Sequence, residues 1–464
     1  VPSRRYRLIA LAMAALAIAA FFVLPLLAAR VVRGALEAAG ADDRAAYASG
    51  ASPWSWRFRS DDDVVAGKAF GGARLVAGAH GLEVVAEGDG QGEIGFPLTR
   101  QADLRRLNLL RISATAPAGS FSLSVRPTLA SPLVKASLAS LDGPIALDRL
   151  AWHDSAGHDV APPERAAMLR LAFTLPPDTT LTLHGAGLAR SGGLMPGTGM
   201  PVPAGLTAEG LLHWRDRQRA VDPLVTFGTR PAPVAAAAGW AWVAPAAYLL
   251  LLAGGVVAAR RRRGNVTGPS DLLDAGLTLL GPLWFIAGLG LGPQPDLAGV
   301  VMFAAGVAYG LFLTLSRALP TWHWRGGWRM AGWPLLAIPV ALGIAAVAGH
   351  APAWPPVSRA LLYIGWAFFQ QWLVLAVVAS LLARALPRPA AVLLTALAFA
   401  LLHTPNGLLM QLCFVAELAW AWWYLHHRAL LPVAIAHATC AVIMQACMAG
   451  GILRSLEVSA RFLS

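Results

Sequence analysis

Trp366-Ala367-Phe368-Phe369-Gln370-Gln371-Trp372 sets two amides inside a long apolar run, and Phe399-Ala400-Leu401-Leu402-His403 sets an imidazole inside the next. Glu417 and His437 stand in the two apolar runs that follow. The hydrocarbon core of a bilayer holds no water to solvate such groups, so polar side chains within it turn toward a bundle interior, a cavity or one another. One stray glutamine or histidine would mean little. Gln370, Gln371, His403, Glu417 and His437, spread over consecutive apolar segments, predict a polytopic α-helical membrane protein with a functional site.

The bulk numbers agree. Hydrophobic residues make up 56% of the chain and charged residues 13%, with a mean hydropathy of +0.56. Soluble domains carry about 25% charged residues. The formal net charge of +12 comes mostly from arginines placed beside apolar segments, the pattern that orients helices in a bilayer. No stretch interleaves basic and aromatic residues, so nucleic acid is not an expected partner. The three cysteines, Cys413, Cys440 and Cys447, lie in apolar segments near the C-terminus, so no disulfide framework is expected in the soluble part.

Outward from that stretch, the chain divides into residues 1–32, 33–235, 236–263 and 264–464. Arg4, Arg5 and Arg7 precede an apolar run from Leu8 to about Val32. A span needs ~20 residues, so this reads as an uncleaved anchor with a cytoplasmic N-terminus. A second span, from about Ala235 to Ala259, ends on Arg260-Arg261-Arg262-Arg263, again cytoplasmic by the positive-inside rule. Residues 33–235 are thereby placed outside the cytoplasm of a bacterial-type inner membrane. Seven further apolar segments follow, at about 271–292, 297–316, 330–349, 358–383, 389–404, 407–426 and 430–451. Ser270 is the expected N-cap of the first. About nine spans result, with Arg317, Arg325, Arg329, Arg384, Arg388 and Arg428 on the cytoplasmic side, and Arg359 the exception.

Residues 33–235 read differently. Short alternating stretches recur at Ala73–Val76, Leu82–Ala86, Leu109–Ala114, Ser120–Val125, Leu169–Leu175 and Thr180–His184, separated by Gly and Pro. Two-residue alternation between such punctuation predicts antiparallel strands and an all-β, sandwich-like domain. The connections at Pro117-Ala118-Gly119 and Pro176-Pro177-Asp178 look like the turns of two hairpins. The texture resembles carbohydrate-binding jelly rolls, so a carbohydrate or a protein is the class of ligand expected here. Trp54, Trp56, Trp152 and Trp214 would serve as stacking platforms or, more commonly, as core. Asp61-Asp62-Asp63 reads as a solvated loop rather than a calcium site.

The last hundred or so residues resemble the CPBP (CAAX-protease and bacteriocin-processing, or Abi) intramembrane endopeptidases. That family carries Glu-Glu-x-x-x-Arg, then Phe-x-x-x-His, then His-x-x-x-Asn. Here Gln370-Gln371 stand in the first place, Phe399 and His403 in the second, and His437 in the third. Leu375 replaces the arginine and Ala441 the asparagine. The resemblance implies peptide-bond hydrolysis in a membrane-associated substrate, with a glutamate and histidines activating water.

A glutamine amide cannot serve as that base, because it only donates and accepts hydrogen bonds. Three readings follow. Glu417 replaces the missing carboxylate, with Gln370 or Gln371 as oxyanion donors and Gln445 covering for the asparagine. Alternatively, the chain is a catalytically inactive scaffold presenting the β domain, or the polar residues only join helices. His437 with Cys440, and Cys413 with Glu417, have spacings zinc accepts. Without a His-Glu-x-x-His pattern, and with buried cysteine ordinarily a small hydrophobe, neither metal nor cofactor is expected. The endopeptidase is the leading expectation and the inactive scaffold its alternative.

Overall fold

The structure is a computed structural model. It describes residues 4–48, 53–78, 81–98, 101–128, 130–189, 199–222, 224–229, 242–261, 268–292, 295–317, 319 and 332–463. The expectations for Arg262, Arg263, Arg325 and Arg329 lie outside the described residues. The chain forms two compact units. One comprises Val1–Ala35, Pro203–His213 and Pro233–Ser464, the other Leu36–Val202 and Trp214–Ala232.

The second unit is β-rich. Its two main sheets have six and seven strands, all antiparallel. One apolar core draws residues from both. Alternation sets which residues enter it: in Met168–Thr174, Leu169, Leu171 and Phe173 are buried, and opposite them Leu123 and Val125 of Ser120–Arg126 are fully buried.

The two expected hairpins do not form. Leu109–Thr115 pairs with Thr180–Ala189 in the six-stranded sheet, and Ser120–Arg126 pairs with Met168–Thr174 in the seven-stranded one. Each Pro-containing connection therefore carries the chain from one sheet to the other. Proline lacks the amide hydrogen that closes a hairpin ladder, and alternation alone does not name a strand's partner. Trp54, Trp56 and Trp152 are buried in the core. The indole N–H of Trp56 donates to the Pro97 carbonyl and that of Trp152 to Leu147, each at 2.9 Å. These three are core, not stacking platforms. Asp63 accepts from the Arg59 backbone N–H at 2.6 Å, which occupies it locally.

The helical elements run α1 (Arg4–Ala48), α2 (Ala208–Val221), α3 (Val243–Arg261), α4 (Pro269–Ala287), α5 (Leu297–Ser316), α6 (Gly332–Leu335), α7 (Ala337–Ala348), α8 (Val357–Gln371), α9 (Ser380–Ala385), α10 (Arg388–Leu401), α11 (Gly407–His427) and α12 (Leu431–Cys447). A π-helical stretch, Trp372–Ala379, joins α8 to α9. Among the described residues, six helices are long and apolar enough to cross a membrane. The apolar helices Gly332–Ala348, Arg388–Leu401 and Leu431–Cys447 are shorter.

Pro25 lies inside α1 and offers no N–H to the carbonyl of Phe21, one turn earlier. The amide of Gln411 on α11 donates to that carbonyl instead, at 2.9 Å. Gly306 on α5 lies so close to α4 that a β-carbon there would stand 2.9 Å from the Thr278 carbonyl, the close approach that small residues permit in membrane bundles.

Ser270 is not the N-cap of α4. Gly268 holds that position and Pro269, preset for a first helical turn, follows. Asp271 then faces inward. It and Asp274 are paired with Arg317 at the end of α5, Arg384 of α9 reaches Asp271 at 3.2 Å, and the Tyr309 hydroxyl donates to Asp274 at 2.7 Å. Acids at a helix start and arginines at helix ends match the helix dipoles. Three helix ends are thus joined by a buried ionic cluster.

Candidate functional site

Gln371 is the last residue of α8, and the π-helical stretch begins at the next residue. Such stretches occur preferentially at functional sites. The Gln371 side chain is fully buried. Its Nε2 lies 3.2 Å from Oε2 of Glu417 on α11 and 3.3 Å from Nδ1 of His437 on α12. An amide nitrogen only donates, so both partners accept. With Nδ1 accepting, a neutral His437 ring carries its hydrogen on Nε2. The ring also hydrogen-bonds the backbone of Ala367, one turn before Gln371.

His403 lies in the turn just beyond α10. The last carbonyls of a helix lack intrahelical donors, and the imidazole supplies one: Nδ1 stands 2.8 Å from the Phe399 carbonyl. A carbonyl can only accept. Nδ1 therefore carries the hydrogen, and Nε2 keeps its lone pair. The Phe399 ring stands edge-on between the two histidines, its centroid 4.8 Å from that of His403 and 5.3 Å from that of His437. Trp420 borders His437 at 5.8 Å.

His403, His437 and Gln370 line one cavity of about 1470 Å³ within the helical unit, whose wall also includes Trp366, Tyr363 and Ala441. This exceeds the ~1,000 Å³ upper end of ordinary small-molecule pockets, and its wall is mostly apolar. Gln371 and Glu417 are not part of that wall. They sit behind it, and Oε1 of each has no hydrogen-bond partner among the described residues. The carboxylate that does line the cavity is Glu457, paired with Arg359 at 3.3 Å.

The structure thus joins Glu417, Gln371 and His437 directly and places Gln370 and His403 on the same cavity. Gln445 accepts from the Tyr363 hydroxyl at 3.1 Å and does not line the cavity, so it does not stand in for an asparagine. Ala441, in the asparagine's place, is on the wall and has no side-chain donor. No group of three or more His, Cys, Asp or Glu able to hold a metal ion occurs among the described residues.

Two features escaped the sequence reading. The contribution of Ala367 is a backbone one and has no side-chain signal. Asn406 is fully buried, caps α11 by accepting from the Leu409 N–H at 3.2 Å, and donates to the Ser455 carbonyl at 2.7 Å. Its place before Gly407 at the start of an apolar run was a legible capping signal.

Residues 352–443 match the family described as type II CAAX prenyl endopeptidase Rce1-like. The matched segment contains Gln370, Gln371, His403, Glu417 and His437, and agrees with the resemblance drawn from the motifs. No curated protein and no solved structure matches the chain.

Proposed function

We propose that this multi-pass membrane protein is an intramembrane endopeptidase that hydrolyses a peptide bond in a membrane-associated protein substrate. One observation carries the reading: two histidines, one in the turn beyond α10 and one on α12, flank Phe399 and line a single, mostly apolar cavity. The family match over residues 352–443 supports it.

In this reading His403 is the general base. Its Nε2 takes a proton from water as the water oxygen bonds to the scissile carbonyl carbon. When the carbon–nitrogen bond breaks, the same proton passes to the leaving amine. Gln370, on the cavity wall, donates to the oxyanion, and His437 orders the opposite side of the site. The protein sits in the inner membrane, with the β-rich, sandwich-like region outside the cytoplasm recruiting substrate. Arginine placement at the first two spans supports that topology.

A second reading, an inactive scaffold presenting the β domain, is favoured by one observation. No carboxylate at the two histidines reaches the cavity wall, since Glu417 lies behind it. Cleavage of co-expressed candidate membrane substrates separates the two. The wild type should cleave, and His403→Ala should lower the rate by roughly 100-fold or more, the scale of general-base loss, with folded protein retained. Cleavage that survives His403→Ala would remove the peptidase mechanism described here.

A further inference from the structure

We infer that Asn406 and Ser459 are positioning residues for His403, acting through a C-terminal strap, residues 455–459, that grips the turn beyond α10 and forms part of the cavity wall. The inference rests on the peptidase reading only for its activity readout. The strap itself is read from hydrogen bonds and burial.

The end of α10 is shaped to serve the imidazole. From His403 onward the backbone bonds reach back three residues: the His403 N–H donates to the Ala400 carbonyl at 2.9 Å and the Thr404 N–H to that of Leu401 at 3.1 Å. The Phe399 carbonyl, one turn before His403, meets the ring Nδ1 at 2.8 Å, which keeps Nε2 bare for the cavity. Three-residue bonding is the less favourable helical geometry, and helix ends fray. Pro405 explains why α10 stops, because it has no N–H to continue the ladder. A proline does not hold the turn that follows.

The strap does. In a continuing helix the Thr404 carbonyl would accept from the Leu408 N–H. That N–H goes instead to Glu209 at 3.2 Å, and the Thr404 carbonyl accepts from the Ser459 N–H at 2.7 Å. Two residues on, Nδ2 of Asn406 donates to the Ser455 carbonyl, also at 2.7 Å. Thr404, Asn406 and Ser459 are all buried, so these bonds are the partners those groups have in place of water. The far side of the strap is tied to the loop after α4, where Oγ of Ser459 accepts from the Leu291 N–H at 3.1 Å. Ser459 has a φ of +57°, a conformation uncommon for serine that persists where the surroundings fix it. Leu456, Glu457 and Val458 line the same cavity as His403. Capping α11 needs only Oδ1 of Asn406, which accepts from the Leu409 N–H; the amide nitrogen serves the strap.

That division gives the test. Serine caps a helix about as well as asparagine but is too short to reach the strap, so Asn406→Ser keeps the cap and releases residue 455, whereas Asn406→Ala loses both. In the full chain in lipid nanodiscs, hydrogen exchange over residues 455–463 should quicken roughly 10-fold in both variants, the scale of one lost buried hydrogen bond. The first turn of α11 should stay protected in Asn406→Ser. With ¹⁵N-labelled histidine, assigned by the losses in His403→Ala and His437→Ala, wild-type His403 should carry its hydrogen on Nδ1. Asn406→Ser should add a second His403 population with the hydrogen on Nε2 and leave the His437 signal in place, a split that general loosening would not produce. Ser459→Ala, which spares the α11 cap, should move exchange and the His403 signal in the same direction. On a cleaved substrate, Asn406→Ser should lower kcat by roughly 10- to 100-fold, the range for a misplaced reacting group. Unchanged exchange over 455–463 in Asn406→Ser, faster exchange with the His403 signal unmoved, or a wild-type His403 protonated on Nε2 overturns the inference. Exchange and spectra decide the positioning role whether or not cleavage is found, and the His403→Ala assay separately decides the peptidase reading.

Discussion

The β-rich unit and the helical unit handle polar groups in opposite ways. In the former, several ion pairs lie at the surface, as in Arg74 with Glu87 and Arg105 with Glu164, where half or more of each side chain is exposed, and the buried Arg215 pairs with a partly exposed Asp216. Core indoles satisfy their single N–H on a backbone carbonyl. In the helical unit, Asp271, Asp274, Gln371, Glu417, His403 and His437 are all buried, while leucines and valines such as Leu250, Leu315 and Val347 are exposed. Water welcomes charge at the surface of the one, and hydrocarbon excludes it from the surface of the other. Polarity in the helical unit therefore marks interior joints and sites, and the same residue types carry different information in the two halves of one chain.

The contrast can be broken where it is strongest. Arg317→Met leaves Asp271 and Asp274 without the arginine that pairs with both, and should destabilise the helical unit by about 3–5 kcal/mol, the cost of half-removing a buried ion pair. Thermal unfolding of the purified protein in detergent, followed by a probe within the helical unit, measures it. An unchanged midpoint would mean that the cluster is not buried as described. The β-rich unit should fail through packing instead. Leu171→Ala removes a fully buried side chain from its core and should cost about 2–5 kcal/mol. Limited proteolysis of residues 53–229 would detect the loss. The helical site should remain intact, because its residues do not draw on that core.

A smaller effect sharpens the comparison at the margin. Both ring nitrogens of the exposed His350 face carbonyls, Ala351 at 2.8 Å and Ala449 at 2.9 Å. Carbonyls only accept, so the doubly protonated ring satisfies both, and these two bonds raise the His350 pKa above its ordinary value. A raised folded-state pKa stabilises fully below the unfolded value of about 6.5 and is lost as pH rises through the higher folded value. The neighbouring amide of Ala353, bonded to the Ala446 carbonyl, should therefore be best protected from hydrogen exchange in mildly acidic solution, after correction for intrinsic rates. His350→Leu should flatten that dependence. A profile identical to wild type would refute the contact.

Much of this was legible before any coordinates. Apolar run length marked the helices, period-two alternation marked the strands, and the ordered polar residues of the last hundred positions marked the cavity-facing histidines. The hairpins misread the β unit because alternation says which face a residue takes but not which strand lies beside it. Ser270 misread the start of α4 because Pro269 already occupied the first helical position. The buried cluster at Asp271 and Asp274 was hidden because charged residues at the end of an apolar run look the same whether they face water or one another.

What the amino-acid order determines alone is periodicity, burial preference and the kinds of chemistry available at each position. It places Gln370, Gln371, His403, Glu417 and His437 in the helical, apolar part of the chain, and it establishes that two glutamines, not glutamates, come directly after Phe369. Only tertiary structure decides that Glu417 lies behind Gln371 rather than in the cavity, and which nitrogen of His437 is bare. Those properties depend on helix rotation and on hydrogen-bond direction between three helices. Helix rotation and bond direction are set by packing between segments distant in sequence, and local sequence pattern does not encode them.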